Sequence, residues 1–143
     1  MRTRLLIVVL GAGLLLAAVP AFAHHSFAAE FDETQPVTLT GTLTKMEWVN
    51  PHGWIYVDVK GADGKVVNWG IEAGAPNALL RRGLRKEQFP IGSEIIIKGY
   101  KAKNGQAFAN GRTVTFLDGR NFFLGTGDSG PKDGAEEKAA KPY

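Results

Sequence analysis

Three histidines are the residues of this chain whose type and spacing most directly suggest chemistry. His24 and His25 are adjacent, and His52 follows further along the chain. Cleavage of an export signal after Ala23 would make His24 the amino terminus, where its free amine and its imidazole can chelate one metal ion together. His25 or another nitrogen can fill a further position, and nitrogen-rich sites of this kind suit Cu(II) or Ni(II). We therefore predict metal binding by His24 and His25, with His52 as a third candidate ligand.

This metal-binding prediction tolerates a different cleavage site. Cleavage after Ala21 would start the mature chain at Phe22 and place His24 third. A histidine at position three offers its imidazole, the terminal amine and two deprotonated amides in one plane, which again suits Cu(II) or Ni(II). The alternative is that His24 and His25 are simply polar residues that follow the cleavage site.

His52 admits three interpretations. As a general base it needs a nucleophile and an orienting acid within hydrogen-bond reach, and the acids considered for that role are Glu47, Asp58 and Glu72. The serines of the chain, none of them in a nucleophile-elbow pattern, are Ser26, Ser93 and Ser129. We therefore expect a protein that is not an enzyme. His52 is otherwise a turn residue bonded to backbone, or it joins the amino terminus in one three-histidine metal site if the lead-in folds back over its loop.

The first 23 residues have the pattern of a secretory signal peptide. Arg2 and Arg4 are followed by an apolar run over residues 5–19, and Pro20 precedes a small-residue cleavage site at residues 21–23. The apolar run of about 15 residues is shorter than the roughly 20 that a membrane-spanning helix needs. We predict export, removal of residues 1–23, and no stable membrane anchor afterwards.

The composition of the chain argues against several classes of function. A length of 143 residues allows one domain. The chain has no Cys, so disulfides, thiolate metal sites and a Cys nucleophile are excluded. Without residues 1–23 it keeps 15 Lys and Arg against 14 Asp and Glu. Because nucleic-acid binding depends on neutralising several phosphates, this near-neutral balance argues against a nucleic-acid partner.

The mature chain has the pattern of short strands around one helix. Period-two alternation of apolar and polar residues predicts five strands, at residues 36–47, 54–60, 66–73, 94–100 and 108–116. Between the third and fourth strands, residues 75–82 have an early proline and are followed by Gly83, as a short helix would be. We therefore predict an all-β domain with one short helix, a small OB-fold-like five-stranded barrel, with a small β-sandwich as the alternative.

The domain predicted in this way covers residues 36–124. A lead-in without clear periodicity precedes it at residues 24–35. Residues 125–143 are rich in Gly, Asp, Lys, Glu and Ala and predict a disordered tail.

The outward side of the second and third strands, with the loop before them, is the predicted ligand face. Its side chains alternate with the apolar Ile55 and Val57. In an OB-fold this surface usually binds the ligand, and aromatic rings with a few polar groups suit a glycan or the apolar patch of a partner protein. The ligand face comprises Trp48, Trp54, Tyr56, Asn68 and Glu72. The alternative is that Phe27 and Phe31 of the lead-in cover these rings as a second small core.

Several segments of the mature chain resemble a family of short exported Gram-negative bacterial proteins of unknown function. They are HHSFAAEFD at residues 24–32, VTLTGTL at 37–43, EWVNPH at 47–52, GKVVNW at 64–69 and GAPNAL at 74–79. The resemblance covers residues 24–124 and implies export to the periplasm and a small OB-like β-barrel. It carries over no catalytic residues. Two functions are therefore expected as alternatives: binding of a Cu(II)-like ion, and a non-metal module that binds a protein or a glycan.

Overall fold

The computed structural model describes residues 26–125, which form a single six-stranded sheet with short helices. The strands are β1 (Phe31–Glu47), β2 (Trp54–Lys60), β3 (Val66–Glu72), β4 (Glu94–Ala102), β5 (Phe108–Phe116) and β6 (Asn121–Phe123). The helices are α1 (Phe27–Glu30), α2 (Pro76–Arg81) and a 3₁₀ turn (Lys86–Gln88). The predicted signal peptide, His24, His25 and residues 126–143 of the predicted tail lie outside the described residues.

Strand pairing closes a ring of five strands. β1 pairs with β4 along its first part and with β2 along its last part, and β2–β3 and β4–β5 complete the antiparallel pairs. A short parallel pairing of residues 70–72 in β3 with residues 108–110 in β5 closes the ring. β6 adds to β5. The predicted all-β, OB-like class, with a helix between the third and fourth strands, is confirmed.

The core lies inside this ring because successive side chains of a strand point to opposite sides. Ile55 and Val57 of β2 are fully buried, whereas Trp54 and Tyr56 on the other side are half-buried. The buried residues that the other strands contribute include Leu39, Leu43, Ile71, Ile95, Ile97 and Val114. Periodicity alone therefore placed the inner and outer sides of β2 correctly.

Helix α2 lies within the predicted residues 75–82 and is one residue shorter at each end. Pro76 occupies the first turn, where its missing N–H is not needed. Gly83 has a φ of +83°, the left-handed conformation that commonly follows the last turn of a helix. The N–H of Leu84 then bonds the carbonyl of Leu79 at 3.0 Å, and both leucine side chains are buried in the core.

The lead-in differs from its prediction. Phe27–Glu30 forms a helix, so the predicted single helix is one of two short α-helices. β1 begins at Phe31 rather than at Pro36, because Phe31 already pairs with Ala102 at the end of β4. The alternative of two packed sheets is also not observed, since the six strands belong to one sheet. Among the helices of residues 26–125, none has the length and apolar composition needed to cross a membrane.

Candidate functional site

A row of paired residues crosses the outer side of the ring. Residues that face each other in neighbouring strands point to the same side of a sheet. The register joins Glu47 to Trp54, Trp54 to Glu72, Glu72 to Asn110 and Asn110 to Tyr100. This outer row therefore brings two carboxylates, an amide and two aromatic rings from five strands onto one surface.

His52 is held at the end of this outer row by the loop before β2. The N–H of Gly53 bonds the carbonyl of Gly74 at 3.1 Å, and the carbonyl of Gly53 accepts the N–H of Ala73 at 2.8 Å. These two bonds extend the β2–β3 pairing and fix the loop over the end of β3. The Nδ1 atom of His52 then lies 3.4 Å from Oε1 of Glu72, with side chains only 19% and 12% exposed.

Asn110 is the third member of this polar cluster. Its Nδ2 atom donates to Oε1 of Glu72 at 3.4 Å. The residue is 6% exposed, and its Oδ1 atom is buried without a hydrogen-bond partner in the described structure. Buried polar atoms are almost always paired, so an unpaired one calls for an explanation. His52, Glu72 and Asn110 are called the polar cluster below.

Two aromatic rings border the polar cluster. The Trp54 and Phe108 rings meet edge to face, with centroids 5.9 Å apart. Phe108 precedes Asn110 by two residues in β5, so the two side chains share the outer side. Trp54 and Phe108 also line a groove of about 530 Å³, which is completed by Ala29, Glu30, Phe31, Ala102, Lys103, Asn104 and Gln106. The groove thus lies next to the polar cluster and ends against the lead-in.

The lead-in is fastened to this same outer side. The Phe27 ring packs against Phe31, with centroids 5.8 Å apart, and edge-on against Tyr100 at 5.5 Å. Lys103 donates its N–H to the carbonyl of Glu30 at 2.9 Å and its Nζ to the carbonyl of Ala28 at 2.6 Å. The Phe27 ring therefore packs on Tyr100 of β4, and Phe31 lines the same groove as Trp54.

Tyr56 belongs to a separate charged network on the outer side. Its hydroxyl donates to Oε2 of Glu47 at 3.1 Å, and Lys45 contacts Oε1 of Glu47 at 2.5 Å. Burial, followed by the bond to the Glu47 carboxylate and its charge, raises the pKa of Tyr56. The bonds from Lys45 and Tyr56 lower the pKa of Glu47. Glu47 is thus engaged with two neighbours on its own face.

The predicted ligand face is only partly assembled. Trp54, Tyr56 and Glu72 lie on one outer surface, as expected. The structure does not bring Trp48 onto this surface, since its partly buried side chain packs against the core. Asn68 is exposed and donates to Asp58 at 2.7 Å and to Thr44 at 3.1 Å, so its amide ties three strands together.

Of the three acids considered as partners of His52, the structure places Glu72 in contact with it. Glu47 is instead bonded to Tyr56, and Asp58 is bonded to Asn68. No group of three potential metal ligands occurs within residues 26–125. The predicted metal ligands His24 and His25 lie outside those residues, so a three-histidine site stays a prediction.

Sequence reasoning missed Phe108 and Asn110. The parallel β3–β5 pairing that brings them beside Glu72 joins distant parts of the chain. The available signal was the polar Asn110 within the predicted fifth strand, between Ala109 and Gly111. A polar residue inside a strand pattern indicates a place where a side chain needs a partner.

Comparison with known proteins identifies a family but no relative of known activity. No curated protein and no solved structure matches the chain. One family model matches residues 12–111, which is well over half of the chain and includes β1, β2, β3, β4 and the polar cluster. The chain therefore belongs to a family of unknown function (DUF6152).

Proposed function

We propose that this protein is exported to the periplasm and is a non-enzymatic binding protein for Cu(II) or a similar ion. The ion is bound by the amine and imidazole of a mature terminus at His24, by His25, and by His52. The observation that carries the proposal is the contact of His52 with Glu72 on the surface to which the lead-in is fastened.

The contact with Glu72 gives His52 the arrangement typical of metal-binding histidines. Such a histidine usually directs its second ring nitrogen at a carboxylate, which fixes its tautomer and raises its basicity as a ligand. Nδ1 of His52 lies beside Oε1 of Glu72, and Asn110 donates to the same oxygen. With the Nδ1–H directed at Glu72, the lone pair that binds a metal is on Nε2.

The course of the lead-in supports a shared site with the terminal histidines. Phe31 pairs with Ala102, but Phe27 contacts Tyr100, which belongs to the outer row with Asn110 and Glu72. Toward its start, the described chain therefore approaches the level of the polar cluster. His24 precedes Phe27 by three residues, which can span roughly 10 Å when extended. Neighbouring strands are about 4.8 Å apart, so this reach covers two strand spacings.

Copper titration of the mature protein tests the proposal. The exported protein is purified, its amino terminus is determined by intact mass, and Cu(II) is added while the visible d–d absorption is recorded. We expect one equivalent to bind, and His24→Ala and His52→Ala each to weaken the affinity at least about tenfold, or 1.4 kcal/mol. Asn77→Ala, at an exposed position of α2, is the matched control and should bind as the parent does. Absence of a d–d band, or unchanged affinity in His24→Ala, would reject the metal function.

A second candidate function is a non-metal module that binds a glycan or a protein on the groove beside Trp54. The observation that favours it is the groove itself, with two aromatic rings on one wall and amide and charged groups along its rim. Pyranose rings stack on such aromatic faces. We expect soluble oligosaccharides to change the tryptophan fluorescence of the parent and of a Trp48→Phe control, and Trp54→Ala to abolish the response. Loss of the response in both variants would instead indicate a general defect and contradict a Trp54 site.

A further inference from the structure

The first half of β3 has an open edge on the side away from β2. β3 pairs with β2 over its whole length, but with β5 only over residues 70–72. The N–H of Gly70 points to the β5 side, since it bonds the carbonyl of Ala107 at 3.0 Å. Backbone groups of alternate residues in a strand point the same way, so those of Val66 and Asn68 also point there. Within the part of the chain that the structure describes, they have no backbone partner on that side.

This open edge, defined as residues 66–69, lacks the features that usually keep exposed strands from pairing. Natural edge strands are commonly protected by charged residues, by proline or by a bulge. Such residues occur in β1 before its pairing with β2, namely Asp32, Glu33 and Pro36. The open edge instead has the sequence Val-Val-Asn-Trp, and Val66 and Val67 are 59% and 44% exposed. An edge of this kind favours the addition of a further strand.

Antiparallel pairing of two copies around Val67 uses every free backbone group of the open edge. In this register Val66 of each copy faces Asn68 of the other, and each facing pair exchanges two backbone hydrogen bonds. A register centred on Asn68 would instead require the backbone of Gly70, which already bonds Ala107. The arrangement has two-fold symmetry, so it closes as a dimer and leaves no further open edge of this kind.

The inner sides of the two copies are complementary in this register. Val59 faces Val67 within each copy, so pairing around Val67 produces one continuous row of four valines across the two copies. Val59 already packs against the core, whereas Val67 is partly exposed. The contact between the two Val67 side chains therefore removes apolar surface from water.

The charges on the outer sides favour the same orientation. Lys60 faces Val66 and Asp58 faces Asn68 within each copy. Antiparallel pairing therefore places Lys60 of each copy in one row with Asp58 of the other. Parallel pairing in register would instead place each charge in a row with its own equivalent, which is unfavourable.

We propose that the protein forms a two-fold symmetric dimer through the open edge of β3, with Val67 of one copy facing Val67 of the other. The paired segment ends before Gly70, so the β3–β5 pairing, the polar cluster and the groove stay intact in each copy. The dimer goes beyond the proposed function and does not depend on a metal ion.

Disulfide cross-linking tests the register, because the chain has no Cys of its own. In Val67→Cys the substituted residues face each other in a non-hydrogen-bonded pair, with Cα atoms about 4.5 Å apart, which a disulfide can bridge. In Val66→Cys they are offset along the strands by two residues and lie roughly 8 Å apart, beyond the limit of about 7 Å. Under mild oxidation we expect Val67→Cys to form a covalent dimer at least about tenfold faster than Val66→Cys. Random collision would favour Val66→Cys, whose position is the more exposed.

Sedimentation equilibrium tests the backbone bonds. Val66 is the first residue of β3, a position where proline is tolerated. Val66→Pro removes an N–H that the single copy does not use and the dimer does. We expect a concentration-dependent dimer in the parent and a dissociation constant raised at least about tenfold in Val66→Pro. Val66→Thr retains the N–H and the branched side chain, and this control should dissociate as the parent does.

Several results would overturn the dimer. They are a parent that stays monomeric at its highest soluble concentration, an unchanged dissociation constant in a folded Val66→Pro, and cross-linking of Val66→Cys as fast as that of Val67→Cys. Should Val66→Pro not fold, the comparison of the two cysteine variants still decides. A monomer whose Val66 and Asn68 amides are protected from hydrogen exchange would show that another part of the same chain covers the open edge, which also contradicts the proposal.

Discussion

Tyr56 illustrates how burial and neighbouring residues determine the pKa of a side chain on the outer side. Its hydroxyl donates to Glu47, and burial followed by this carboxylate raises its pKa above the ordinary value of 10.0. The neutral phenol is thus favoured in the folded protein. This preference contributes stability that is fully present below the pKa that Tyr56 has in the unfolded chain. The contribution is lost as the pH rises through the raised pKa of Tyr56 in the folded protein.

We expect Glu47→Gln to lower the pKa of Tyr56 toward its ordinary value. The glutamine can still accept a hydrogen bond, so the change removes mainly the negative charge that opposes ionisation of the phenol. Absorbance at 295 nm measures the titration, and Tyr56→Phe identifies the contribution of this tyrosine against those of Tyr100 and Tyr143. Glu33→Gln, at an exposed position, is the control. An unchanged titration in Glu47→Gln would show that burial alone sets the pKa.

The polar cluster shows which residue-scale features could be predicted. His52 and Glu72 were both selected by residue type, because a histidine in a turn and an acid on an outward strand position are visible in the sequence. Their contact was one of three options, and the choice of Glu72 depends on the bonds of Gly53 to the end of β3. Asn110 was missed because its neighbour Glu72 is distant in sequence and adjacent through strand pairing alone.

At the scale of elements, strands were predictable where each has one inner and one outer side. β2 has the predicted bounds, and β3 and β4 differ from prediction by one or two residues at one end. β1 was predicted too short because its first residues, from Phe31, lack clear alternation and are held by pairing with β4. Local periodicity therefore identifies a strand, and tertiary pairing decides where it begins.

β1 pairs with two strands in succession, and Gly41 lies close to the point where the pairing changes from β4 to β2. The strand pairs with β4 up to Thr42 and with β2 from Thr42 onward. A Cβ atom at Gly41 would overlap the carbonyl oxygen of Asp58 in β2. At Gly70 in β3, a Cβ atom would instead overlap the ring of Phe108. Gly41 thus allows the backbone of β2 to approach β1 closely, and Gly70 allows the ring of Phe108 to pack closely on β3.

We expect Gly41→Ala to destabilise the protein more than Gly70→Ala. A ring can rotate away from an added methyl group, so Gly70→Ala should cost about 1–3 kcal/mol, the usual range for overpacking. The backbone of β2 cannot move without breaking pairs, so Gly41→Ala should exceed that range. Urea unfolding measures both costs.

A Phe108→Leu background provides the control for the two glycine variants. It should reduce the cost of Gly70→Ala and leave that of Gly41→Ala unchanged. Equal costs for the two glycines in the parent would mean that β1 and β2 can separate locally without loss of pairing.

At the scale of the whole molecule, the ring is closed by its shortest pairing. β3 and β5 pair in parallel over residues 70–72 and 108–110, beside the polar cluster and the groove. The longest pairing of the ring is the antiparallel one of β1 with β4. Both proposed functions therefore place the ligand at the shortest pairing of the ring, where the rings of Trp54 in β2 and Phe108 in β5 meet across β3.

We expect hydrogen exchange to show that this β3–β5 closure opens before the rest of the ring. The N–H of Gly70 bonds the carbonyl of Ala107 at 3.0 Å, whereas Ile97 lies in β4 between two strands that pair with it on either side. Local opening exposes amides in proportion to its equilibrium constant. After correction for intrinsic rates, the Gly70 amide should therefore exchange at least about tenfold faster than the Ile97 amide, a difference of 1.4 kcal/mol.

Phe108→Ala removes the ring that packs over Gly70 and should accelerate exchange of the Gly70 amide further. Val66→Ala, at an exposed position of the same strand, should not. Equal protection of Gly70 and Ile97 would mean that the ring opens only as one unit, and a ligand would then have to bind a closure that does not open by itself.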